Sequence, residues 1–368
     1  MVNGEEKEQL KQIVSIPCKG CGAQLTFSAA KEKLACQYCG YEQIIPNSND
    51  RVVEKSFTEA ISFAGQDTGL GLESKTFHCK TCGAKTIVNI QEVVLRCSFC
   101  GSENVNQEAF DTKIIKPFGV LPFSIEKNKA LEIFKVWLGS GWFQPNDLKK
   151  LAHLSKVEGV YIPFWTYDAH TDSFWTAEAG YYYYVTVQYT DSEGNVQERQ
   201  EQRIRWEPVS GFYQHWFDDV LVIASQGITQ QRIQQIYPFD LSKVVNYKPE
   251  YLLGWKAEVY TYDVKAGFRM AEKIMDDFIY QECASMVPGD TYRNLQINTH
   301  KYDITFKHLL LPVWIAAYQY NGKVYQVVIN GQTGTISGEK PLSFWKIFFT
   351  ILLLLAVGIL LYWITQNK

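Results

Sequence analysis

A multidomain α+β architecture is what this sequence of 368 residues predicts, and three features predict it. Eight of its nine cysteines fall into four Cys-x-x-Cys pairs toward the N-terminus. Between residues 117 and 340 the apolar pattern alternates between a helical period and period two. An uncharged apolar run of 18 residues, Ile347 to Ile364, closes the chain. The length exceeds what one hydrophobic core usually organises. The expected order is therefore an N-terminal tail (1–12), a first cysteine module (13–46), a linker (47–73), a second cysteine module (74–116), an α+β domain on an antiparallel sheet (117–340) and one transmembrane helix (344–364).

The pairs are Cys18 and Cys21, Cys36 and Cys39, Cys79 and Cys82, Cys97 and Cys100, so the spacing C-x2-C-x14-C-x2-C occurs twice, 61 residues apart. Gapless alignment of the two copies also matches Gly22 with Gly83, Ala23 with Ala84, Leu34 with Leu95 and Gly40 with Gly101, the mark of an internal duplication. Zinc favours a tetrahedral shell of thiolates, and two cysteines three apart on a tight knuckle supply half of it with little strain. A glycine follows the second cysteine of every pair, which permits the positive φ that ends such a knuckle. The spacers are long enough for two short strands and a turn. The modules read as tandem four-cysteine zinc ribbons, with the eight cysteines as ligands of two structural zinc ions. A four-cysteine shell leaves no position for a catalytic water. Disulfides fit poorly, because the charged N-terminus carries no secretory signal, and a thioredoxin-type pair would stand singly in a βαβ unit. Cys283 reads as a packed thiol and His78 as a bystander.

In the linker a short helix is expected at 52–64. Beyond the second module, Ser124 is placed to cap a helix with Ala130, Leu131, Phe134 and Leu138 on its apolar face. A shorter helix is expected at 146–154. Residues 160–190 then read as strand, rich in aromatic and β-branched side chains, with a turn at 191–195 and a polar return strand. Ten of the 24 residues from Tyr161 to Tyr184 are aromatic, which predicts core and cross-strand ladders rather than a ligand cage. A helix follows at about 265–283, with Met270, Ile274 and Phe278 in register. Asn321-Gly322 between two apolar runs predicts a type I′ hairpin. The segment 160–165 echoes 310–314, so these two strand starts are expected to pair in one sheet.

The terminal run spans about 27 Å as a helix, enough for a hydrocarbon core of roughly 30 Å. Trp345, Tyr362 and Trp363 sit where an aromatic belt belongs, and Lys340 and Lys346 are expected to reach the near headgroups. The lysine-rich flank and the thiolate sites predict a tail-anchored membrane protein with its N-terminal domain in the cytoplasm.

A net charge of −3 gives no general attraction to polyanions, and residues 1–117 hold 13 Lys and Arg against 14 Asp and Glu. No phosphate-cradling loop, H-E-x-x-H or G-x-S-x-G motif is present. Asp218-Asp219 and Asp276-Asp277 are adjacent, so their carboxylates are expected to diverge, and His153, His170, His215, His300 and His308 lack metal-ligand spacing. No enzyme is predicted.

With the cysteine modules, PFGVLPFSI, GVYIPFWTYDA, TFKHLLLPVWIAAYQYNGKVYQVVINGQTGTISGEKP and the terminal helix in this order, the chain resembles a bacterial family of membrane-anchored, TFIIB-type zinc-ribbon proteins. Members are often labelled primosomal protein N′-like or replication-restart helicase-like, a label this sequence does not support without a P-loop. The family is also similar to membrane partners of phage-shock protein A homologues and flotillin-like SPFH proteins in envelope-stress operons. That resemblance implies an adaptor or scaffold with protein partners. Nucleic-acid binding through the ribbons is the alternative.

Overall fold

The computed structural model describes residues 15–46, 51–60, 70–71, 74–89, 94, 96–108, 114–148, 157–190, 192 and 194–366. The N-terminal tail, most of the helix expected at 146–154, His153, part of the second spacer and two residues of the turn at 191–195 lie outside them.

In chain order the elements begin with β1 (Thr26–Ser28), β2 (Lys33–Ala35) and β3 (Glu42–Gln43), then β4 (Lys55–Ser56) and α1 (Phe57–Ala60). Next come β5 (Ser74–Cys79), β6 (Lys85–Asn89), β7 (Val105–Glu108), β8 (Gly119–Val120) and α2 (Lys127–Gly139). The middle of the chain holds β9 (Val157–Thr190), β10 (Val196–Ile223), α3 (Gln230–Gln234), β11 (Val245–Asn246), β12 (Lys256–Glu258) and α4 (Val264–Met286). It ends with β13 (Thr291–Tyr320), β14 (Lys323–Asn330), β15 (Ile336–Gly338) and α5 (Phe344–Gln366).

The fold is α+β. β1–β3 form a small antiparallel sheet, and the remaining strands join one mixed sheet of 12. Three strands dominate that sheet. β9 has 34 residues, β10 has 28 and β13 has 30. At about 3.3 Å per residue β9 runs on the order of 110 Å. Its first part crosses the core, where Val160, Ile162, Phe164 and Trp165 are fully buried. Its second part enters an arm in which β10, β9 and β13 lie side by side, antiparallel. Thr291 of β13 faces Gly180, and from 181 to 190 β9 pairs with β10 alone. The aromatic run builds core in the first segment, as expected. Further out, Phe174 and Tyr182 to Tyr184 are exposed.

The echoed strand starts do pair: Val160 faces Val313 and Pro163 faces Leu310. The hairpin at Asn321-Gly322 closes with positive φ at both residues, 49° and 79°, as a type I′ turn requires. Three expectations shift. Ser124 does not cap α2, because the helix starts only at Lys127 and Glu126 holds the N-cap position; the amides of Ser124 and Ile125 both donate to the Gly331 carbonyl, so these residues belong to the approach to the helix. Of the helix expected at 52–64, residues 57–60 form α1 and 61–64 lie outside the described residues, while β4 before it pairs with Thr305 and Phe306 inside the main sheet. The stripe that α4 buries is Val264, Gly267, Ala271, Met275, Ile279 and Cys283, one residue round from the predicted one. Small Gly267 lets the helix approach the sheet, where an added Cβ would meet Tyr167 and Trp165 at 2.5 and 2.6 Å, while Phe278 stays 37% exposed.

α4 covers one face of the arm. On the other face the side chains run in rows across the strands: Trp216, His170 and Tyr302, then Gln214, Asp172 and His300, then Phe212, Phe174 and Asn298. Trp216 stacks on His170 at 6.0 Å and Tyr302 does so at 5.6 Å.

Candidate metal centres

All eight predicted ligands come together, in two groups of four whose sulfurs lie within 4.8 Å of one another: Cys18, Cys21, Cys36 and Cys39, and Cys79, Cys82, Cys97 and Cys100. Each group is built by two knuckles with one backbone plan. The amides of Gly22, Gly40, Gly83 and Gly101 donate to the carbonyls of Cys18, Cys36, Cys79 and Cys97 at 2.9, 3.1, 2.8 and 2.9 Å. Those four glycines have φ between 71° and 79°, a region that side chains disfavour. The amide of each leading cysteine then donates to the residue after the glycine: Cys18 to Ala23, Cys36 to Tyr41, Cys79 to Ala84 and Cys97 to Ser102.

The donor geometry fits a tetrahedral metal. Cys18 and Cys39 lie 3.4 Å apart and Cys21 and Cys36 3.5 Å, while the corresponding pairs of the second cluster are both 3.6 Å. A zinc ion bound at about 2.3 Å spaces its sulfurs by about 3.8 Å. Amides also point at sulfur, from Gly20 to Cys18 at 3.3 Å and from Phe99 to Cys97 at 3.4 Å, as they do around thiolates. The amides of Cys39 and Tyr38 bring the Cys36 thiol down to about 6. The Cys82 thiol, with the Cys100 and Phe99 amides, brings Cys97 down to about 5 against its burial. Burial pushes Cys100 up to about 12. Four sulfurs this close cannot all ionise without a cation among them, which a divalent metal would supply.

The two clusters differ in what surrounds them. β1 and β2 carry the first in its own sheet, tied to the domain by the Phe27 amide on the Leu253 carbonyl (2.8 Å) and by the Trp255 indole on the Phe27 carbonyl (2.9 Å). The second is continuous with the main sheet, since β6 pairs with β12 and β12 with β9. Phe99 of its second knuckle is fully buried, and its carbonyl accepts from Gln326 at 2.8 Å. His78 shares a hydrogen bond with Glu108 at 2.8 Å across β5 and β7 and is not a member of either cysteine group. Cys283 is buried on the sheet-facing side of α4, in a different part of the core from both groups.

A third constellation was not legible. Asp168, Asp218 and Asp219 converge. A bulge in β10 between Phe217 and Val220, with Asp219 at φ 53°, breaks the alternation that separates neighbouring carboxylates. Lys307 fills this place, 2.6 Å from Asp219 and 2.9 Å from Glu54, while Asp168 accepts from the Asp219 amide and the Thr305 hydroxyl, both at 2.6 Å. Burial pushes the Asp168 carboxyl up to about 6. The network ties the segment before β4 to the arm. A cavity of about 650 Å³ lies between the first cluster, the start of α2 and the indoles of Trp255 and Trp314.

α5 is 23 residues long and none of its apolar stretch is buried, so it is apolar and long enough to cross a membrane.

No family model matches the chain, and no solved structure matches it. The chain is 25% identical over 336 residues to the uncharacterized protein YdjG of Bacillus subtilis (strain 168), an alignment that covers 91% of this chain and 92% of that protein. The similarity therefore extends well beyond any one of the cysteine clusters.

Proposed function

We propose that this chain is a membrane-anchored adaptor: two zinc ribbons hold the N-terminal part of the domain together, α5 tethers it, and a protein partner docks on the arm at the cytoplasmic face of a bacterial membrane. The observation that carries the reading is the uncovered face of the arm, where Phe174, Phe212 and Trp216 are 64%, 41% and 58% exposed on a sheet whose other face is covered by α4. Exposed aromatic rings grouped on a rigid sheet mark interaction surfaces. Both four-sulfur shells are complete, which favours a structural metal over a catalytic one. By resemblance the partners to seek are phage-shock protein A-like or SPFH proteins. Recovery from detergent extract of a stable protein partner that is lost in Phe174→Ser/Trp216→Ser supports this reading. Salt-sensitive recovery of DNA or RNA without a protein partner would instead favour a nucleic-acid-binding protein.

A further inference from the structure

The segment between α2 and Leu148 has an unusual makeup. Ser140 to Asn146 reads SGWFQPN, with no charged residue, and Trp142 is 77% exposed. Three separate ties fasten this loop to the start of α5. The Ser343 amide donates to the Phe143 carbonyl at 2.7 Å. Lys346 donates to the Gln144 carbonyl at 2.9 Å and to the Asn146 side chain at 2.7 Å. Lys340 donates to the carbonyl and the hydroxyl of Ser140, both at 2.9 Å, and lies 4.3 Å above the Trp137 ring. The two lysines expected to reach lipid headgroups thus grip the loop instead.

The ties fix the depth of the loop. Phe143 is bonded to the residue just before Phe344, so its backbone sits at the level of the first turn of α5, within about one helical pitch of 5.4 Å. If α5 enters a bilayer there, the loop stands at the water–lipid boundary. Its neighbours suit that boundary: Val136, Leu342, Phe344 and Trp345 are 68%, 63%, 71% and 65% exposed. Tryptophan and phenylalanine partition to this layer, where rings meet acyl chains and polar backbone meets headgroups. No residue between Ser140 and Asn146 is itself charged, and the ammonium groups of Lys340 and Lys346 that are bonded to the loop suit the headgroup layer rather than the acyl layer.

We propose that residues 140–146 are a second membrane contact, seating Trp142 and Phe143 in the headgroup and upper acyl layer of the phospholipid bilayer that α5 crosses. The proposal rests on the reading of α5 as a membrane span. A domain on one helix can swivel about it, whereas a second contact built from a different part of the chain fixes one orientation and presents the arm to its partner in one direction.

The test uses the full chain in cell membranes, with a benzophenone amino acid at position 142 and, as control, at position 216 on the arm. Irradiation is expected to give a phospholipid adduct, read by mass, at 142 in several-fold excess over 216. A protein adduct at 142, or equal lipid labelling at both positions, overturns the proposal. In bilayers containing brominated phospholipid, Trp142→Phe is expected to remove part of the tryptophan quenching, and unchanged quenching also overturns it. Alkaline carbonate separates the two readings: a chain that stays in the pellet without a lipid adduct at 142 refutes the loop contact alone, while a chain released to the supernatant refutes the span and the contact together.

Discussion

Loss of one cysteine should have different reach in the two four-sulfur clusters, and the comparison of Cys97→Ser with Cys18→Ser measures it. The Cys97 knuckle carries Phe99, whose ring lies where a Cβ on Gly227 would come within 2.5 Å, and whose carbonyl is held by Gln326 of β14. Ser98 bonds Glu158, which Lys256 also grips at 2.6 Å. Freeing this knuckle therefore pulls Phe99 out of the main core, a loss of about 3–5 kcal/mol by analogy with Phe→Ala truncation. For a domain of this size each kcal/mol moves the midpoint by about 2–4 °C, so Tm of the main transition should fall on the order of 10 °C. The Cys18 cluster sits in its own three-stranded sheet with exposed knuckle residues such as Tyr38, 85% accessible. Cys18→Ser should unfold that sheet locally and leave the main transition within about 2–4 °C of its original midpoint. Both variants should hold one zinc per chain instead of two. Elemental analysis, limited proteolysis and thermal unfolding of detergent-solubilised protein read all three quantities. Equal Tm shifts in the two variants would refute the argument that strand continuity decides the outcome, and iron in place of zinc would refute the metal assignment.

Three further outcomes are expected. Lys307→Met leaves Glu54 and Asp219 facing each other without their cation, and should cost toward the lower end of about 3–5 kcal/mol, read by urea unfolding. Burial holds the His308 imidazole down to about 4, against about 6.5 in an unfolded chain. The unfolded state therefore takes up the proton first, so this contribution is intact above pH 6.5 and is lost as pH falls toward 4, by roughly 3 kcal/mol in all. His308→Gln should flatten that part of the stability–pH curve relative to the parent protein. A chain ending after Pro341 should leave the membrane fraction with both zincs in place, because α5 buries none of its residues in the domain; elemental analysis of the released protein checks this.

Local rules reached far into this protein because its strongest signals are local. The knuckles are short-range objects: the Cys-x-x-Cys spacing, a glycine after each second cysteine and the backbone bonds between them all lie within about six residues, so sequence alone placed each of the eight cysteines in its group. The same is true of Asn321-Gly322, whose turn needs only two residues of positive φ, and of α5, whose length and uncharged stretch from Ile347 to Ile364 are properties of a single segment. Ser124 was misjudged as a cap for the converse reason. Its amide and its neighbour's bond to Gly331, far along the chain, which holds the segment outside the helix and delays the first helical turn to Lys127.

Long-range pairing was the part only the tertiary structure decided. Period two identifies a strand at 160–190 but says nothing about its continuing for 34 residues or about which face α4 will cover. The cluster of Asp168, Asp218 and Asp219 needed a bulge, which inverts the alternation that sequence reasoning relies on. The two cysteine modules are duplicates in sequence, yet one keeps a sheet of its own and the other is built into the main sheet through β12. That difference lies in strand edges: backbone donors and acceptors carry no side-chain signature, so the partner an edge finds is fixed by where the rest of the chain has folded, not by the residues on the strand itself.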